Sequence, residues 1–330
     1  MLKPLLFGVA LALLGGGILG MAEEGNSPAE NAYLFTYFTK NGEDGLHLAW
    51  SSDGNKWEAL NGGQSYLAPT VGKEKLMRSP SAVRGADGMY HLVWASGMEE
   101  NNIGHASTRD FIHWSAEQEL PVMASEPAVR NSWAPELVYN EKWHQYIILW
   151  TSAIKGRFTE TERAAGKDYN NRIYCTTTKD FAYFTPTRLF FDPGFPVSDA
   201  TILPANGRYY LIVKDDTSKP AKKNLRITSS DSLDGPYGEL DDAFTPKRLW
   251  AERPSAIKIG DEFIVYFDAY VDNHYGAMSS RDLKSWQEVT AKMVFPGEDT
   301  PARPERMRGG AVIRVPAALV EQLRTAAPAH

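Results

Sequence analysis

One cysteine, Cys175, is all that 330 residues contain. A single thiol excludes an internal disulfide, so buried apolar surface has to carry the stability. No Cys/His cluster, no Walker phosphate loop and no dinucleotide fingerprint is present, which argues against zinc modules, nucleotide hydrolases and nicotinamide enzymes. Asp199-Ala200-Thr201 has no nucleophile-elbow context, so serine-hydrolase chemistry has no support either. Basic residues are not in excess: 35 Lys and Arg against 41 Asp and Glu leave a net charge of −6, which disfavours nucleic acid as a partner. Long apolar runs are missing except at the start. There Lys3 precedes an apolar stretch over 5–19, and Gly20-Met21-Ala22 follows it. That stretch is short for a membrane span. It reads as a secretory signal peptide cut after Ala22, giving a secreted or periplasmic chain with no membrane contact after cleavage. No cysteine follows the run, so a lipoprotein is not indicated.

What is present is a repeat. An aspartate recurs before an aromatic residue in five places: Asp53 before Trp57, Asp110 before Trp114, Asp180 before Phe184, Asp231 before Tyr237 and Asp282 before Trp286. The aspartates are spaced by 57, 70, 51 and 51 residues. Between them lie β-branched and aromatic runs punctuated by hairpin signals such as Asp87-Gly88, Asn206-Gly207 and Gly260-Asp261. A period of roughly 50 residues with this content predicts the blades of a propeller. The expected fold is all-β, a five-bladed β-propeller. Its first blade lacks an opening strand, which residues 310–315 supply from the far end, so both termini close one blade. The expected organisation is signal peptide 1–22, linker 23–32, propeller domain 33–316 and C-terminal tail 317–330.

In such a ring the opening strands line the axis and converge at one mouth, together with the loops 39–45, 97–102, 153–171, 215–224 and 268–275. The longest loop, 153–171, is a candidate lid or pocket wall carrying Arg157, Phe158 and Tyr169. Asp199 and Glu252 begin opening strands in adjacent blades, where two carboxylates in one pocket push each other's pKa apart as acid/base chemistry requires. Structural acids capping strand ends are the alternative. Glu136, two residues into its strand, is a further axial candidate. Trp133, immediately before Ala134-Pro135, is the aromatic best placed at the mouth, and Arg78 and Asn131 are candidates for ligand contacts or for local hydrogen bonding. The recurrent aspartates sit in turns, where Asx-turn bonding accounts for them.

The stretches Leu34-Phe35-Thr36-Tyr37-Phe38-Thr39, Trp133-Ala134-Pro135-Glu136, Ser198-Asp199-Ala200-Thr201-Ile202 and Trp250-Ala251-Glu252 with Pro254-Ser255-Ala256-Ile257-Lys258 resemble glycoside hydrolase family 43. The similarity runs from about Tyr33 to Val315. It implies a five-bladed propeller that hydrolyses arabinofuranosyl or xylosyl linkages of polysaccharides or oligosaccharides with inversion. It also implies Glu252 as general acid and Asp199 as the aspartate that tunes its pKa.

Three positions depart from the family pattern. Ser79, before Pro80, stands where the resemblance implies the general base. Arg253 stands where a glycine usually follows the acid. Gly309 stands where a histidine helps hold a central water or metal ion, so no cofactor is expected and an axial calcium is in doubt. An inverting glycosidase needs a carboxylate to activate water at roughly 6.5–9.5 Å from the acid, and losing a general base costs about 10²–10⁴-fold. Arg253 beside the acid is expected to favour ionised Glu252. Glu43, Asp44, Glu99 and Glu100 in the mouth loops are candidate substitute bases. The leading expectation is an exported hydrolase of this type. The alternatives are a catalytically silent glycan-binding propeller and a non-sugar interaction scaffold.

Overall fold

A computed structural model describes residues 31–166, 169–298 and 305–326. The expected signal peptide, residues 23–30 of the expected linker and residues 327–330 lie outside them. Apolar residues come in adjacent pairs along the strands: Leu34-Phe35, Leu92-Val93, Ile147-Ile148, Leu211-Ile212 and Ile264-Val265. All ten are buried. Neighbouring strand residues point to opposite faces, so each pair feeds two different cores. Leu34 packs with Leu92 and Trp94, and Phe35 with Trp57, Tyr266 and Tyr275. Val93 packs with Ile148 and Trp150, Ile147 with Leu211 and Val213, and Ile212 with Val265 and Phe267. Five apolar clusters therefore fill five seams between sheets, and the sheets stand in a ring as the blades of a five-bladed propeller.

The first blade joins Asn31–Phe38, His47–Ser51 and Glu58–Ala59 to the C-terminal strand Arg308–Pro316, which pairs antiparallel with Asn31–Phe38 from Asn31 opposite Pro316 to Phe38 opposite Arg308. The second, third and fifth blades are four-stranded meanders whose inner strands are Arg78–Arg84, Trp133–Asn140 and Ala251–Ile259. The fourth blade, from Val197–Ala205, has three strands. After Ser230 the chain follows the outer edge with separate bonds, Asp241 N–H to Ile227 O at 2.8 Å and Phe244 N–H to Leu225 O at 3.1 Å. Pro236 in this stretch has no N–H to give to a ladder.

Two boundaries differ from the sequence reading. Asn31 and Ala32, placed in the linker, already pair in the first blade. The expected tail contains a helix, Ala317–Thr325, whose Leu319, Val320 and Leu323 are buried against the seam of the first two blades. Four of the five recurrent aspartates make the expected turns. Asp282 Oδ1 accepts from the N–H of Lys284 and Ser285, and Asp53, Asp110 and Asp180 repeat the pattern. Asp231, in the blade without a fourth strand, instead accepts from Arg208 Nε at 2.8 Å.

Candidate functional site

Each inner strand breaks register once near its start. Pairing skips a residue between Arg78 and Ser81, Trp133 and Glu136, Ser198 and Thr201, and Glu252 and Ser255, and the closing strand does the same between Arg308 and Ala311. Each skip is a β-bulge, which bends the strand and re-aims side chains. The first bulged residue is left-handed in four blades: Ser79 (φ 54°), Ala134 (52°), Asp199 (54°) and Arg253 (51°). Such conformations cost about 1–3 kcal/mol outside glycine and cluster at functional sites. Three tiers result. Arg308, Arg78, Trp133, Ser198 and Glu252 form the rim. Gly309, Ser79, Ala134, Asp199 and Arg253 form the level below. Ala311, Ser81, Glu136, Thr201 and Ser255 lie deeper.

A cavity of about 170 Å³ occupies the upper two tiers, lined by Arg78, Ser79, Trp133, Ala134, Asp199, Glu252, Arg253 and Gly309, with Phe38, Ala95 and Met98. Ser79, Asp199 and Glu252 are thus brought together, as are Arg78, Trp133 and Arg253. In a flat strand Glu252 and Arg253 would face opposite ways; the bulge lets both line the cavity.

Arg253 does not act on Glu252 as expected. Its side chain runs across to the second blade, where Nη2 donates to Ser79 O at 3.3 Å. Gly309 makes this path possible: a Cβ there would stand 2.6 Å from Arg253 Cγ and 2.8 Å from its Cβ. The cations at Glu252 are others. Lys214 Nζ lies 3.1 Å from Oε2, and Arg308 Nη2 lies 3.8 Å from Oε1. Lys214 also pairs with Asp216 at 3.4 Å, and Arg308 with Asp268 at 3.4 Å. Burial opposes the charge on Lys214, but Asp216, Glu252 and Asp199 more than offset it and hold its pKa well above the usual lysine value. Asp199 is pushed up from its ordinary value, first by burial and further by Glu252, with Lys214 and Arg253 pulling the other way. Its Oδ2 accepts the Arg253 backbone N–H at 3.1 Å.

Other expected site residues lie elsewhere. Glu136 is on the axis but beneath the cavity. Its oxygens accept from Thr201 Oγ1 at 2.7 Å and Ser81 Oγ at 3.0 Å, so it ties three blades together and has no place in a sugar contact. Burial raises its pKa, which those two hydroxyls and Arg253 partly counter. Asn131 is bonded within its own neighbourhood, to Thr151 O and the Ala153 N–H. Arg157 pairs with Glu126 at 2.9 Å and lines a separate cavity with Arg130 and Asn170. Phe158 packs under the Arg172 guanidinium at 4.3 Å. The long loop is therefore stapled to its own blade and is no lid over the pocket. Tyr169 alone reaches the rim, 4.4 Å from the Trp133 ring, with Arg130 over its other neighbourhood at 3.8 Å.

None of the four candidate substitute bases lines the cavity. Asp44 pairs with His47, Glu43 accepts the Asn41 N–H, Glu99 accepts the Tyr169 hydroxyl, and buried Glu100 accepts the Lys73 N–H. Sequence reasoning missed Lys214, Arg308 and Asp268. The signal was available for two of them, since Lys214 stands opposite Ser198 and Asp268 opposite Glu252 in strand pairing.

A family model described as a probable glycosyl hydrolase domain matches residues 29–320. An α-L-arabinofuranosidase of Bifidobacterium longum subsp. longum is 20% identical, with 87% of this chain and 34% of that protein aligned. The chain thus spans about a third of that relative's length. Among solved structures, an α-L-arabinofuranosidase from Clostridium thermocellum aligns with a TM-score of 0.54 at 14% identity, covering 74% of this chain and 82% of its own. An exo-β-1,3-galactanase from Phanerochaete chrysosporium, solved with β-1,3-galactotriose, aligns with a TM-score of 0.51 at 12% identity, covering 68% of this chain and 52% of its own. Identities this low speak for the fold, and the family match carries the rest: the chain belongs to the probable glycosyl hydrolase domain family related to glycoside hydrolase family 43.

Proposed function

We propose that this is an exported carbohydrate-active protein whose axial pocket seats the terminal unit of an arabinofuranosyl-, xylosyl- or galactosyl-type glycan, and that the pocket recognises more than it hydrolyses. The observation that carries this reading is the lining. Among the described residues Asp199 and Glu252 are the acids that line it, and the Ser79 position offers a hydroxyl. A hydroxyl near neutral pH is a poor acceptor for the proton of an attacking water. Both oxygens of Glu252 are also engaged by cations, Oε2 by Lys214 and Oε1 by Arg308. At about 170 Å³ the cavity is smaller than the 300–1,000 Å³ usual for larger ligands, which suits one sugar ring at a chain end. Trp133, backed by Tyr169, supplies the flat apolar wall.

The axis has no place for calcium in this reading. Gly309 offers no donor, and the space beside it is filled by a guanidinium, whose fixed charge opposes a second cation.

One observation favours turnover: Asp199 and Glu252 line the pocket together, and Glu252 raises the cost of ionising Asp199, as an acid/base pair requires. Hydrolysis of aryl arabinofuranosides, xylosides and galactosides by wild type, Ser79→Asp and Glu252→Gln separates the two. Asp199 already holds the left-handed backbone that Ser79 has, so an aspartate is sterically acceptable there. Recognition predicts a near-silent wild type and a gain of about 10²-fold or more in Ser79→Asp. Efficient wild-type turnover that Glu252→Gln abolishes would instead establish a hydrolase with an unusual base.

A further inference from the structure

On the pocket's second-blade side two guanidiniums stand outside direct ion pairs. Arg78 and Arg253 bracket Ser79, one beside it in the chain and the other bonded to its carbonyl. Among the described residues neither guanidinium has a carboxylate within 4 Å. Arg78 donates from Nη1 to Asn41, to its backbone oxygen at 3.3 Å and to its side-chain oxygen. Arg253 is 5% exposed and its Nε is buried with no acceptor. An arginine presents five N–H donors in a fixed plane. A buried donor left unpaired costs about 1–3 kcal/mol, so a well-adapted site is expected to bring its acceptor in with the ligand. Burial and the nearby Arg308 both work against the charge of Arg78, with Glu252, Glu43 and Asp268 offsetting part of this, and the Phe38 ring lies 5.1 Å from the Arg78 guanidinium and 5.3 Å from that of Arg308.

The substitutions at this mouth share one electrostatic direction. Serine at position 79 removes the negative charge that a base would place there, glycine at 309 clears a path, and arginine at 253 uses that path to bring a positive charge to the same spot. A pocket altered only by loss of catalysis would have no reason to acquire a buried guanidinium with an open donor.

We propose that the pocket selects a sugar unit bearing a carboxylate, a hexuronate at a glycan terminus, and that the Arg78 and Arg253 guanidiniums receive the carboxylate beside Ser79. Planar forks of N–H donors match a carboxylate in paired hydrogen bonds. Trp133 and the Phe38 edge of the cavity then face the ring, while Glu252 and Asp199 lie on the opposite side near the ring hydroxyls. The inference rests on the reading of this cavity as a sugar site.

The test is calorimetric titration of the full chain with uronate-terminated disaccharides, with the matched neutral disaccharides, and with sodium acetate and sodium sulfate alone. The variants are Arg78→Met and Arg78→Lys, chosen because Arg78 sits at the rim and its loss leaves the axial floor intact. Wild type is expected to bind the uronate about tenfold or more tighter than its neutral match, the scale of one charged hydrogen-bond pair. Arg78→Met should lose that preference, and Arg78→Lys should keep part of it through charge without the planar fork. Equal binding of acidic and neutral disaccharides overturns the inference and leaves the sugar-site reading standing. No binding of either overturns both. Acetate or sulfate binding as tightly as the uronate also overturns it, because a bare anion site would then account for the arginines.

Discussion

The mouth of the propeller has two unlike halves. Toward the fourth and fifth blades its charges form a closed set: Glu252 meets Lys214 and Arg308, Asp216 meets Lys214 and Lys223, and Asp268 meets Arg306 and Arg308. Toward the first and second blades the same tiers hold Gly309, Ser79 and Arg78, and the visiting Arg253 keeps an unpaired donor. The closed half holds Glu252 among cations. The open half has Ser79 in its wall and carries Arg78 and Arg253 outside any ion pair among the described residues. Buried ions tolerate loss of a partner badly, whereas Arg78 stands at the rim of the cavity, where its loss disturbs no ion pair. The difference therefore separates where the pocket stores stability from where it is free to bind.

Stability should break on the closed side first. Lys214→Met strips the counter-charge from Glu252 and Asp216 in a site where all three are largely shielded from water. Removing one partner of a buried pair costs about 3–5 kcal/mol, which urea unfolding would read as a large fall in midpoint at unchanged slope. Arg78→Met on the open side should cost no more than about 1 kcal/mol. Similar losses at the two positions would erase the distinction between the halves.

A smaller effect sharpens how the open half was built. Gly309→Ala forces a methyl into the path of Arg253, a close contact with the part of the side chain nearest its backbone. Overpacking of this kind costs about 1–3 kcal/mol. In an Arg253→Gly background, which removes both the Cβ and the Cγ that the methyl would meet, the same change should be nearly neutral, so a double-mutant cycle would show a coupling of about 1 kcal/mol or more. Additive losses would mean that the glycine serves its own bulge and that Arg253 merely lies nearby.

The fold was readable because it repeats. Apolar pairs such as Leu92-Val93 recur five times and hairpin turns such as Asn206-Gly207 three times, and a repeat multiplies a weak local signal. The mouth was harder, because there the chain departs from the alternation that makes strands legible. Asp199 and Glu252 looked equivalent at the starts of their strands, yet the bulges put Arg253, not Glu252, at the level of Asp199. One cue was in plain view: Ser79-Pro80, Ala134-Pro135 and Arg253-Pro254 share a proline at the same step of the bulge. Aligning on it places Arg253 beside Ser79 in the tier and Glu252 with Arg78 and Trp133 at the rim. Glu136 was correctly placed on the axis, but its depth depends on the hydroxyls of Ser81 and Thr201 from two other blades, which no local pattern reveals. The long loop misled because length alone suggested a lid, while Arg172, Thr161 and Asn170 knit it down.

The finest test of the contrast between buried and open charge is the sign of a pH slope. Asp282, in an exposed turn, has its carboxyl held well below the usual value by the N–H groups of Ser285 and Lys284. A depressed carboxylate adds stability above its unfolded pKa of about 4, and that stability is lost as pH falls through the folded value. Asp199, in the pocket, is raised by burial and by Glu252 against the pull of Lys214. A raised carboxylate works the other way: its contribution is whole below about pH 4 and is lost as pH rises through the folded value. Asp199→Asn should therefore gain on wild type as pH goes from 4 to 7, by about 2–4 °C in Tm for each kcal/mol of ionisation cost removed. Asp282→Asn should instead lose ground to wild type as pH rises toward about 4, and run level with it from there to 7. If Asp199→Asn also loses ground as pH rises, then Lys214 holds Asp199 ionised more strongly than burial opposes it. The closed half of the mouth would then be a paired salt network with no proton to spare for catalysis.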